Sequence, residues 1–286
     1  MTRTPDPTTI TQRLDELWIS RGPVVMGIVN ATPDSFSDGG RFLATDAAVA
    51  EGERHLEAGA RIIDIGGEST RPGAERVDTA EESRRVVPVI SELRERHPSA
   101  ILSVDTSKSA VAESALSAGA EIVNDVSAGA EPGMLESVAA HGAAIVLMHR
   151  RGTPSTMQLD TRYDDLVAEV HGWLRERAAT ALAAGILPEH VWLDPGIGFG
   201  KDDEGNLSLL AALPDLAAAG HPVVVGPSRK SFIGRLTRTP VEDRLGGTLA
   251  ALIPSITMDR AVVRVHDPGP AVQFLELGRL IAESAA

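Results

Sequence analysis

The chain has no cysteine, which removes a disulfide framework, a thiol nucleophile and a thiolate-ligated zinc at once. It has no basic run either. With 27 Lys and Arg against 40 Asp and Glu, the formal charge of -13 repels nucleic acid and anionic membranes unless a local patch reverses it. No window reaches the apolar length that spans a bilayer. The opening "MTRTPDPTTITQRLDELWIS" carries no apolar core of signal-peptide length, so a cytoplasmic enzyme is expected. Nucleotide fingerprints are missing as well. "GIGFG" at 196 to 200 is not G-x-G-x-x-G, and Pro195 and Asp202 stand where a P-loop needs Gly and Ser or Thr.

What is present is a repeated unit. Eight short apolar, β-branched runs recur between breakers: "VVMGIVN", "RIIDIGG", "AILSVDT", "EIVNDV", "AAIVLMH", "HVWLDPG", "HPVVVGPS" and "AVVRVH". Segments of helical period lie between them. One spans 79 to 96, where Thr79 and Glu82 form a capping-box pattern and Val86, Ile90 and Leu93 share a face. Another spans 163 to 184, with Leu166, Val170 and Trp173 on a stripe and Gly185 as its end. "AGA" at 58 to 60 and 118 to 120, and "AHGAA" at 140 to 144, put a glycine where a helix stops ahead of a strand. Strands that are apolar throughout and alternate with helices indicate a parallel sheet covered on both faces. Eight such units predict a single-domain α/β protein, a (β/α)8 TIM barrel, over residues 22–286. Residues 1–21 read as a lead-in or a short accessory helix.

In such a barrel, chemistry belongs at the C-terminal ends of the strands. Those ends carry Asn30; Glu68 with Thr70 and Arg71; Asp105; Asn124; His149; Asp194; Ser228 with Lys230; and Arg264 with His266. Any one Asp or Asn reads most simply as a helix cap or a turn residue, Asp105 ahead of "TSKSA" among them. His149 reads as structural. Capping alone does not select two Asp, two Asn, Lys, Arg and His around one rim. Asp105 and Asp194 suit a ligand edge rich in N–H groups, and Asn124 and Lys230 suit a ring carbonyl or ring nitrogen. An amino-oxo pyrimidine edge of a fused heterocycle meets both needs. Arg264 and His266, two apart and followed by a helix start at "DPGPAVQ", suit a phosphate.

The segments "GIVNATPDSFSDGG", "IIDIGGESTRPGA", "SVDTSK", "IVNDVSA", "LMHRRGTPSTMQ", "LDPGIGFGK", "GPSRKSFIG" and "RVHD" run in order from about residue 24 to the last helix. Together they resemble the dihydropteroate synthases of folate biosynthesis. The resemblance implies condensation of 6-hydroxymethyl-7,8-dihydropterin pyrophosphate with p-aminobenzoate through an SN1-like pterin cation. It further implies Mg2+ riding with the pyrophosphate, and a homodimer. Carried over by position, it implies that Asp105, Asn124, Asp194 and Lys230 hold the pterin between Val126, Met148 and Phe199. It implies that Asn30, Arg264 and His266 bind the pyrophosphate, Asn30 through the metal. Thr70, Arg71, Pro72 and Ser228 would shape the p-aminobenzoate site. Phe36 and Asp38 would act from the first loop, Asp38 on the developing cation and Phe36 over the aromatic amine. Breaker-rich loops with Gly39, Gly40, Gly66, Gly67 and Gly73 as hinges would exclude water from that cation.

Pro227, Pro254, Arg150 and Arg151 depart from the pattern expected of the family. Pro254 is expected to kink or end the helix between strands seven and eight. All four bear on the p-aminobenzoate end, where sulfonamides compete in this family, so the sequence leaves sensitive and resistant forms open. Three other readings stay open too: a pterin paralogue without turnover, a pterin-dependent corrinoid methyltransferase barrel, and a Schiff-base aldolase using Lys230.

Overall fold

The computed structural model describes residues 7–19, 22–32, 40–69, 76–152, 156–157 and 160–284. In chain order the elements are α1 (Pro7–Glu16), β1 (Val24–Asn30), α2 (Gly40–Glu57), β2 (Ile62–Gly66), α3 (Thr79–Arg96), β3 (Ile101–Asp105), α4 (Ser109–Ser117), β4 (Ile122–Asp125), α5 (Met134–His141) and β5 (Ala144–Met148). They continue as α6 (Leu166–Ala183), β6 (Val191–Asp194), α7 (Asp203–Ala211), α8 (Leu213–Ala217), β7 (Val223–Val225), α9 (Ser231–Thr237), α10 (Leu245–Ala250), β8 (Ala261–Val265) and α11 (Pro268–Ser284). Every neighbouring strand pair is parallel, and β8 pairs with β1, so the sheet closes. All eight expected strands form.

The strand period of two sorts each run into an outer and an inner set. Val25, Val29, Ile63, Ile65, Leu102, Val104, Ile145, Leu147, Val263 and Val265 face the helices in one large core. Val24, Met26, Ile62, Ile101, Ile122, Val146, Trp192, Val224 and Val262 fill the barrel from its N-terminal end. Continuing along the same inward face, the next positions are Asp64, Ser103, Asp105, Asn124, Asp194 and Arg264. The interior is therefore apolar at the bottom and polar toward the top, a gradient written residue by residue in each strand.

Helix α1 closes the bottom. Ile10, Leu14 and Leu17 are buried in the inner cluster, and Trp18 meets Trp192 edge to face at 5.6 Å. Arg13 fastens the helix by donating to the Pro98 and Ala100 carbonyls at 2.6 and 2.7 Å and by pairing with the buried Glu121. Arg94 reaches the same carboxylate at 2.7 Å. Among the described residues no helix is long and apolar enough to cross a membrane.

Two local expectations need correction. The α3 cap is Asp78, whose side chain accepts from the Glu81 N–H at 2.8 Å, and the Thr79–Glu82 capping box does not form. Glu82 turns inward instead, taking the Thr106 hydroxyl at 2.6 Å and the Lys108 ammonium. Helix α6 starts at Leu166, capped by Asp165, not at 163. The glycine signals hold: Gly119 and Gly142 adopt φ of 113° and 64°, which a side chain would resist. Helix α10 ends at Ala250, and Pro254 sits in the 3-10 turn Ile253–Ser255 that follows, the early end expected of it.

Candidate active site

The polar upper layer is one connected network. Asp64, fully buried, accepts the Ser103 hydroxyl at 2.6 Å, the Asn124 amide at 3.0 Å and the Arg264 Nε at 2.6 Å. Arg264 also donates through Nη2 to Asp105 at 2.7 Å. Asp105 and Asn124 are side by side in the β3–β4 register, and Met148 and Asp194 in the β5–β6 register. Asp105 is an inward-facing strand residue and does not cap α4, whose N-cap is Lys108. Its Oδ2 is spent on Arg264, while its Oδ1 is buried and takes no hydrogen bond among the described residues.

Asp194 Oδ1 accepts the Gly196 N–H at 2.6 Å. Lys230 donates to the Ile197 carbonyl and sits 4.3 Å from the Phe199 ring centroid. It follows Arg229, a non-glycine residue at φ 56°, whose guanidinium is held by Asp267 at 3.1 and 2.7 Å. A backbone in this region is held there by its surroundings: the Arg229 N–H donates to the Thr248 hydroxyl at 3.1 Å and its carbonyl accepts from Arg244 at 3.0 Å. Ser228, buried beside Pro227, shares a 2.9 Å hydrogen bond with His266 Nδ1 and accepts the His266 N–H at 3.2 Å. Val126 and Met148 are buried, and Asn30 ends β1 with its side chain exposed.

Burial dominates the ionisation of these groups. It pushes Asp105 up to about 7, with Asp64, Glu82 and Asp125 adding to the rise and Arg264 opposing it. It raises Asp194 against the pull of Lys230, and lowers Lys230 to about 8 against the pull of Asp194. Several convergent groups perturbed in this way mark the barrel mouth as the candidate site.

The structure thus brings Asp105, Asn124, Asp194, Lys230, Arg264, Ser228 and His266 to one mouth of the barrel. Phe36, Asp38, Thr70, Arg71, Pro72, Gly39 and Gly73 lie outside the described residues. Arg150 and Arg151 do not both add free charge: Arg151 stacks on Tyr163 at 3.8 Å and pairs with Glu169 at 3.3 Å. Sequence reasoning missed Asp64 and Lys201. Asp64 lies two positions before Gly66 on the inward face, so the period of two would have marked it as the acid inside the barrel.

Residues 26–266 match the family model described as pterin binding enzyme. The dihydropteroate synthase of Synechocystis is 47% identical over 275 residues, 96% of this chain and 94% of that protein. The chain belongs to the dihydropteroate synthase family. Solved family structures superpose closely. Xanthomonas albilineans dihydropteroate synthase with 4-aminobenzoic acid is 47% identical, covers 91% of this chain and 93% of its own, and gives a TM-score of 0.83. The same organism's dihydropteroate synthase in complex with 7,8-dihydropteroate is 44% identical, with 91% and 94% covered and a TM-score of 0.80. With relatives of this name over nearly the whole chain, the methyltransferase and aldolase readings fall away.

Proposed function

We propose that this protein is a dihydropteroate synthase, joining 6-hydroxymethyl-7,8-dihydropterin pyrophosphate to p-aminobenzoate with release of pyrophosphate. The observation that carries this reading is Asp105 Oδ1, a buried carboxylate oxygen with no partner among the described residues, beside Asn124 in the strand register and at the same barrel mouth as Asp194 and Lys230. An unmet acceptor of that kind calls for a ligand donor. In this reading the pterin N–H edge meets Asp105 and Asp194, and Asn124 and Lys230 donate to its oxo and ring-nitrogen positions. Val126, Met148 and Phe199 flank the ring. The methylene C–O bond breaks, its electron pair leaves with the diphosphate, and the aromatic amine bonds to the methylene carbon and loses a proton. Asp38 stabilises the cationic methylene and Phe36 covers the amine. Thr70, Arg71, Pro72 and Ser228 hold the p-aminobenzoate. His266 and Arg264 draw the diphosphate toward the start of α11.

The residues present also fit Mg2+. The ion takes one or two protein oxygens and keeps water and phosphate ligands, and the Asn30 amide oxygen at the end of β1 is a hard donor of that kind. Among the described residues no three His, Asp or Glu side chains gather into a cage, so Asn30 would hold an ion carried largely by the diphosphate. When bound, Mg2+ neutralises charge developing on the leaving group.

The direct test is release of pyrophosphate from the two substrates together, followed with a coupled phosphate assay. Release that depends on both is expected. A protein that binds the pterin but releases none is a paralogue without turnover, and this reading is then wrong.

A homodimer is part of the proposal. Leu277, Leu280 and Ile281, at i, i+3 and i+4 on α11, are 60%, 50% and 60% exposed, and Ile253 is 58% exposed. Large apolar side chains grouped on one helix face call for a partner surface, and a second copy of the same face makes a closed pair. Light scattering should give twice the 30.1 kDa chain mass, and Leu280→Glu with Ile281→Glu should give the monomer mass. A wild-type protein that runs as a monomer at tens of micromolar sinks the dimer.

A further inference from the structure

Lys201 is 1% exposed, and among the described residues no carboxylate lies within ion-pair distance of its ammonium. All three of its N–H bonds are nevertheless used. Nζ is 3.0 Å from His149 Nδ1, 3.0 Å from the His149 carbonyl and 2.9 Å from the Gly196 carbonyl. In its charged form the lysine only donates, so Nδ1 then offers its lone pair and the imidazole proton sits on Nε2. Burial, with Lys201 and Arg151 nearby, pushes His149 down to about 3, so the ring is neutral. Trp173 meets it edge to face at 5.0 Å. Asp194 attracts the ammonium from beyond contact distance and only partly offsets the cost of its burial; a methionine would fill the space without burying a charge but would leave those three acceptors without their donor.

What the charge holds is the peptide at Gly196. Its carbonyl takes both Lys201 and the Phe199 N–H, the latter at 3.0 Å. Its N–H donates to Asp194 Oδ1. The next carbonyl, that of Ile197, receives Lys230. On the β5 side, the His149 N–H bonds the Asp194 carbonyl at 2.9 Å. Gly196 lies at φ 68°, and a Cβ there would stand 1.9 Å from the His149 oxygen. The two loops therefore meet backbone to backbone, and Lys201 is the side chain that spans them.

We propose that Lys201 is a positioning residue for heterocycle binding, pinning the end of β5 to the β6–α7 loop and so setting the aim of Asp194, Lys230 and Phe199 as one unit. This rests on the pterin reading of the pocket. Lys201 touches no reacting atom; it acts through Gly196.

The test is Lys201→Met beside wild type, each titrated calorimetrically with 6-hydroxymethylpterin and melted thermally. The expected result is a folded protein whose Tm shift reflects the balance between the removed burial cost and the acceptors left unpaired, with Kd for the pterin raised at least tenfold. A merely structural lysine would move Tm and leave Kd at the wild-type value. A folded Lys201→Met protein with wild-type pterin affinity overturns the proposal. Should that variant not fold, His149→Gln keeps the lysine but disturbs one acceptor, and a threefold or greater rise in Kd is expected. Unchanged affinity there overturns it equally. If wild type itself binds no pterin, the pocket reading and this inference fall together; if wild type binds and the variants bind as well as it does, only the inference falls.

Discussion

Asp64→Ala is expected to lower stability by about 3 kcal/mol, the scale seen when one partner of a buried ion pair is removed, and to abolish pterin binding. Asp64 is completely buried and takes three donors, from Ser103, Asn124 and Arg264. Truncation leaves the serine hydroxyl and the asparagine amide without their acceptor, and leaves Arg264 leaning on Asp105 alone. For a chain of this size the loss corresponds to roughly 6–12 °C in Tm. The double variant Asp64→Ala with Arg264→Met should recover part of that stability, because the stranded guanidinium is gone, while activity stays absent. Urea unfolding of the three proteins measures this. Asp64→Ala within about 1 kcal/mol of wild type, on the scale of a minor substitution, would show that the network does not depend on it.

Asp105→Asn is expected to weaken pterin binding by about 100-fold. Hydrogen bonds to a charged group contribute about 1.5–3 kcal/mol each, and an amide turned toward a donor edge offers N–H where an acceptor is needed. The same residue sets a pH dependence. Its folded-state pKa, raised to about 7 by burial above the ordinary carboxylate range, means that the carboxyl is protonated below pH 7 in the free protein. Binding a donor edge requires the carboxylate, so a proton must leave, and affinity should fall as pH drops from 7 toward 5, approaching tenfold per unit. Lys230, lowered to about 8, stays charged across that window and contributes no slope. Lys201, lowered by burial to about 7, gains charge on the acid side, so Asp105→Asn is the control. Its profile should be flatter than wild type's. A wild-type affinity that is level from pH 5 to 7 would remove Asp105 from the site.

The barrel was legible because its physics is local. Each strand is a short run closed by breakers, and helices α2, α4, α5, α6 and α8 each stop at a glycine of positive φ ahead of the next strand, so the repeat shows in the sequence. Asp105, Asn124, Asp194 and Arg264 were legible because they fall at strand ends, where a barrel keeps its chemistry. Asp64 was harder to find. It sits mid-strand in "RIIDIGG", and its principal partner is 200 residues away; only the inward period would have exposed it. Lys201 reads as one more surface lysine beside Asp202, because nothing within 50 residues of it announces His149, which lies 52 away. The α3 start shows the limit from the other side. Asp78 and Thr79 are both good caps, and the choice turns on Glu82, whose carboxylate is drawn inward to Lys108 and Thr106.

The N-terminal helix seated against Trp192 and fastened through Arg13 has a bearing on traffic. Among the described residues that end is stoppered, so the polar interior faces the opposite mouth. Pterin, aminobenzoate, diphosphate and the joined product must all pass through it, and none can leave by the back. Arrivals and departures then share one threshold.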